Sequence, residues 1–159
     1  MRTAFSVAAI VIAGAAVALT GPSRPAYPHG EEAGFGVPGD PSKAAHVVRL
    51  TMRETTDGHM LFAPSDLTIR RGEQVRFIIE NKGALDHELV IDTVRGNQQH
   101  AIEMQKNPDM QHDDPNAIRL APTARGEILW RFTEAGTFDF SCLIPGHREA
   151  GMHGTVRVR

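Results

Sequence analysis

From His46 onward the chain alternates apolar and polar residues with a period of two. Val48, Leu50 and Met52 share one face of a segment whose other face is Val47, Arg49, Thr51 and Arg53. The rhythm returns at Leu67/Ile69, Val75/Phe77/Ile79, Leu89/Ile91, Ile128/Trp130/Phe132, Phe138/Phe140 and Val156/Val158. Strand side chains point alternately to opposite faces, so each set predicts a short strand with one face in a core. Turn-forming stretches separate them: TTDG at 55–58, RRGE at 70–73, NKG at 81–83 and EAGT at 134–137. About seven short strands at this spacing predict an all-β fold built as a two-sheet β-sandwich.

Two regions break the pattern. NQQHAIEMQK, from Asn97 to Lys106, lacks alternation, is made largely of helix formers and is stopped by Pro108, which predicts a short helical insert around 97–107. Residues 21–45 are rich in Gly, Pro and charge and have little to bury, so they are expected to form a flexible leader to a domain spanning 46–159. Ahead of the leader, Arg2 precedes an apolar run from Ala4 to about Leu19. At roughly 15 residues the run is short for a membrane span, which needs about 20, and small residues follow it. Residues 1–20 therefore read as a signal peptide cleaved somewhere between 18 and 26, leaving no membrane span in the mature chain; the alternative is an uncleaved N-terminal anchor, since the run is preceded by a single positive charge.

Composition narrows the classes. The 159 residues suffice for one domain with a real core. Lys and Arg (17) nearly balance Asp and Glu (19) and neither sign forms a long run, so the chain has no nucleic-acid footprint. It is expected to be a monomer. A single cysteine cannot close an intrachain disulfide, even in the oxidising compartment that export implies.

That cysteine, Cys142, lies in FSCLIPGHREAGMHGTVRV, followed by His147 and then Met152. Alternation through TFDFSC sets it on the inward face with Phe138 and Phe140, at the end of a strand. Pro145, Gly146, Gly151 and Gly154 then mark a tight loop before the next strand. A mononuclear copper site needs a second imidazole, and His87 is the candidate, because it opens a strand and shares the parity of Leu89 and Ile91. A thiolate, two imidazoles and a thioether are the donor set of a blue-copper electron-transfer centre. Three rival readings of Cys142 stand beside this one: an inert core cysteine, a nucleophile paired with histidine, in which Met152 has no task, and zinc, whose structural sites close with a further Cys or His. A binuclear copper centre bridged by two cysteines is excluded by the cysteine count.

The strand–Cys–loop–His–loop–Met–strand ending, joined to an upstream Asp86-His87 at a strand start, resembles the copper loop of the cupredoxins, the plastocyanin and azurin superfamily. The likeness spans about 45–159. It implies a Greek-key sandwich with His87, Cys142, His147 and Met152 as ligands of one type 1 copper. Two departures are visible: four residues separate each of Cys142, His147 and Met152 from the next, and Glu88 stands where the ligand histidine is often followed by Asn. HGEEAGFGVPGDP, MQKNPDMQHDDPN and CLIPGHREAGM resemble, in that order, stretches of bacterial periplasmic cupredoxins of copper tolerance. The resemblance implies copper tolerance in the periplasm, by binding copper or by oxidising Cu(I), the latter being cuprous oxidase activity. The alternatives are a soluble shuttle between redox protein partners and a copper chaperone. Met104, Met110 and His112, with His100 one helical turn before Met104, form a candidate second copper site. His29 is a candidate weak leader site, Pro28 lacking the N–H that a tight amino-terminal site needs.

Overall fold

The computed structural model describes residues 34–108 and 114–159. Over these residues it is the expected two-sheet sandwich, with ten strands and one helix. The strands are β1 (Gly36–Pro38), β2 (His46–Glu54), β3 (Met60–Ala63), β4 (Asp66–Ile69), β5 (Gln74–Asn81), β6 (His87–Asp92), β7 (Ala117–Leu120), β8 (Arg125–Phe132), β9 (Gly136–Ser141) and β10 (His153–Val158). One sheet runs β1-β8-β5-β2-β3 and the other β4-β10-β9-β6-β7. The pairs β2/β5 and β4/β10 are parallel, and the remaining neighbours are antiparallel. Every inward set named from the alternation is buried, from Val48, Leu50 and Met52 on β2 to Val156 and Val158 on β10. Together they fill one continuous core between the sheets.

Three strands escaped the alternation. β1 (GVP) and β3 (MLFA) are too short or too uniform to show a period, and β7 (AIRL) is a short edge strand beside β6. β1 also corrects the leader. Residues 34–45, expected to have little to bury, include Phe35, which is 1 % exposed and meets Trp130 at 5.4 Å and Phe138 at 5.0 Å between ring centroids. Gly36–Pro38 pairs with β8, so this stretch belongs to the sandwich. The buried ring, worth about 1.5–3 kcal/mol, docks it together with that strand pairing and the bonds of Gly39 and Asp40 to Leu129 and Gln74. The expected signal peptide, the rest of the leader and His29 lie outside the described residues.

The insert forms α1 (Val94–Lys106), starting three residues before the helix-forming run. Thr93 caps it, its side-chain oxygen accepting the Gly96 N–H at 2.9 Å and so satisfying a donor that the first turn leaves open. Its inner stripe is Asn97, His100 and Met104, a spacing that puts all three on one face. This face lies on β6 and β9 and buries the side of β9 that alternation assigns away from the core, including Asp139 and Ser141. Among the described residues no helix is long and apolar enough to cross a membrane.

Candidate metal centre

Three donors meet at one end of the sandwich. His87 is the first residue of β6, Cys142 follows the last residue of β9, and β6 and β9 are paired neighbours, which brings together residues 55 positions apart in sequence. His147 comes from the loop between β9 and β10. That loop turns at Gly146 (φ 89°) and Gly151 (φ 103°), left-handed conformations that glycine adopts without the strain of a Cβ. It is folded back on its own stem: the Met152 N–H donates to the His147 carbonyl at 3.0 Å and the Cys142 N–H to the Met152 carbonyl at 3.1 Å. Cys142, His87 and Met152 have no exposed surface, and His147 keeps 9 %.

The His87 Nδ1 stands 3.2 Å from the His147 Nδ1, which in turn is 3.3 Å from the Cys142 Sγ. All three ligand atoms lie within 4.8 Å of one another, a spread that one metal ion can bridge. Among the described residues this is the group of histidine, cysteine and carboxylate side chains so placed.

The electrostatics suit a soft cation. Burial pushes the Cys142 thiol up to about 12. The thiol is therefore protonated in the metal-free protein, and a metal must displace that proton to form the thiolate bond. Burial also lowers the basicity of His87 and His147, so both imidazoles are held neutral with lone pairs to offer. The chemistry of the donor set thus fits copper: sulfur favours Cu(I), and imidazole serves both oxidation states.

Carboxylates surround these donors, and alternation did not single them out. Glu54, the last residue of β2, accepts from or bonds three groups: the Ala84 N–H at 2.9 Å, the Leu85 N–H at 3.0 Å and the His87 Nε2 at 2.9 Å. Partial burial works against its charge, but the N–H groups of Ala84, Glu54 itself and Leu85 and the neighbouring His87 outweigh it and hold its carboxyl down at about 2. Glu88 is fully buried, and burial pushes its carboxyl up to about 7. Its backbone N–H points to the Cys142 Sγ at 3.4 Å and its Oε1 accepts the Leu143 N–H at 2.8 Å. Glu88 therefore ties the two ligand-bearing segments together.

A second network joins the loop to the helix. The Arg148 guanidinium pairs with Asp139 at 2.7 Å and donates to the Ser141 hydroxyl. Asp139 also accepts from Ser141 (2.8 Å) and from the Asn97 amide (3.0 Å) of α1. The available sequence signal was polar residues on the β9 face that an inserted helix comes to cover.

The candidate second site fares differently. Met104 has no exposed surface and packs with Val90 and Leu143, and His100 is 5 % exposed on the same inner stripe. The Met104 thioether thus lies in the seam between helix and sheet. Met110 and His112 lie outside the described residues.

Comparison with known proteins agrees with this arrangement. Residues 50–159 match the family of copper binding proteins described as the plastocyanin/azurin family. The copper-resistant cuproprotein CopI of Rubrivivax gelatinosus is 51 % identical over 134 residues, covering 84 % of this chain and 79 % of its own. CopI of Pseudomonas aeruginosa is 29 % identical over 181 residues, covering 96 % and 95 %. Among solved structures, dithionite-reduced auracyanin from the photosynthetic bacterium Roseiflexus castenholzii superposes with a TM-score of 0.60 at 20 % identity, over 74 % of this chain and 99 % of that one, a likeness of fold.

Proposed function

The chain belongs to the plastocyanin/azurin family of copper-binding proteins, and from that premise we propose that it is an exported type 1 copper protein that exchanges one electron at a single copper and serves copper tolerance. The observation that carries the reading is the convergence of Cys142 Sγ, His87 Nδ1 and His147 Nδ1 at the buried end of β6 and β9. In this reading Cys142 would hold the copper through its thiolate and His87 and His147 through their imidazoles, and Met152, folded onto Cys142 by the backbone, would add its thioether. Copper bound by such a set supplies a one-electron couple.

The chain's own residues prepare the rest. Cys142 lies in the core cluster that also holds Phe140, apolar surroundings that keep water from the sulfur. The Glu88 N–H donates to the sulfur and withdraws charge from it. His147 retains the exposed edge among the donors and is the port through which an electron reaches a redox protein partner. The role in tolerance is supported by the two CopI relatives, which are named for copper resistance. Placement in the periplasm is supported by the apolar run from Ala4 to about Leu19.

Titrating the mature protein with copper while counting metal per chain and recording visible and EPR spectra tests the centre. The expected result is one tightly held copper with an intense thiolate-to-Cu(II) absorption. A chain that binds copper without that absorption overturns the assignment. Growth of a deletion strain on copper, compared with its complemented parent, tests the tolerance role.

A further inference from the structure

The imidazole of His87 has two nitrogens, and the ligand assignment uses one of them. The other, Nε2, faces Glu54 at 2.9 Å. A carboxylate accepts and does not donate, so the proton of a neutral His87 sits on Nε2 and Nδ1 is left bare toward Cys142 and His147. Glu54 belongs to β2 in one sheet, whereas His87 opens β6 in the other, so a single side chain reaches across the end of the sandwich to set the ring.

The receiving turn is shaped around that carboxylate. Asn81 bonds the Leu85 carbonyl at 2.8 Å, the Leu120 carbonyl at 2.9 Å and the Gly83 N–H at 2.9 Å, which fixes residues 81–85. The N–H groups of Ala84 and Leu85 then point at Glu54. At Gly83 a Cβ would lie 2.5 Å from one Glu54 carboxylate oxygen and 2.7 Å from the other, so the acid occupies the space of the missing side chain. Three N–H groups and one vacant Cβ position converge on it, more than an incidental surface acid collects.

We propose that Glu54 is a positioning residue of the copper centre, fixing His87 in the Nε2–H form with Nδ1 toward the metal and lowering the reduction potential by placing a negative charge one imidazole ring away. The direction follows from charge: the oxidised site carries one more positive charge than the reduced site, and a nearby anion stabilises it preferentially. The proposal rests on the ligand assignment above.

Three variants separate bond, charge and fold. Glu54→Gln retains an acceptor for Nε2–H and removes the charge. Its potential is expected to rise while ¹⁵N NMR of the metal-free protein still shows His87 protonated at Nε2. Glu54→Leu removes both, so the potential rises, the tautomer preference is lost and copper affinity falls about 10–100-fold. Gly83→Ala alters neither acid nor ligand. The added methyl displaces the carboxylate, and the potential rises with all donors intact.

A merely structural Glu54 would lower the unfolding temperature and leave the potential where it was. Wild-type potentials in Glu54→Gln and Gly83→Ala, or a His87 protonated at Nδ1 in the metal-free parent, overturn the proposal. Absence of the thiolate absorption from the parent would instead overturn the ligand assignment, and the metal-free NMR measurement would still report on Glu54.

Discussion

Two stretches of this chain bring sulfur and imidazole close together in sequence, and the fold treats them in opposite ways. In the loop from Cys142 to Met152 the donors of His147 and Cys142 turn toward His87 across a gap of a few ångströms. On α1 the imidazole of His100 and the thioether of Met104 lie on the inner stripe, and Met104 packs against Val90 and Leu143 as an ordinary core side chain. Both stretches carry sulfur and imidazole. The difference is that the loop ends where two strands terminate together, so its donors face one another, whereas the helix lays its stripe flat on a sheet and spends its sulfur on packing.

The sharpest way to break this contrast is Cys142→Ser, which should abolish the thiolate-to-copper absorption entirely. A surviving band would move the centre elsewhere. Met152→Leu keeps an apolar side chain of similar volume, so the protein should fold and still bind copper, with its potential raised by loss of the thioether. An unchanged voltammogram would remove Met152 from the site. On the helix side, Met104→Ala should cost about 2–5 kcal/mol in a urea titration, because it leaves a cavity, and the copper count should not change. A lost copper would restore Met104 as a donor.

Asp139→Asn tests how independent the two regions are. It weakens the link from Asn97 of α1 to Arg148 of the loop, and unfolding free energy should fall by about 1–3 kcal/mol while the visible spectrum is retained. Met104→Leu should have the smallest effect, less than about 1.5 kcal/mol, with the spectrum of the parent.

Much of this was legible in advance. Period-two alternation named the core positions of β2, β5, β8, β9 and β10, because on a strand the parity of a residue decides its face. It also placed His87 and Cys142 inward. It could not find β1, where three residues carry no period, and so Phe35 went unrecognised as a core residue. Nor did it distinguish Glu54 from any other acid at a strand end, since what marks Glu54 is a turn 30 residues later whose N–H groups point at it.

The local pattern of the chain therefore determined which side chains face inward and which donors the closing loop carries, because both depend on backbone period and on neighbours a few residues away. Tertiary structure decided which donors meet. His87 joins Cys142 because β6 and β9 pair, Met104 is withdrawn from solvent because α1 lies on the sheet, and Glu54 reaches His87 because β2 ends beside the turn that leads into β6. Each of these is a contact across a long sequence separation, set by how sheets and helix pack, and no period in the chain encodes it.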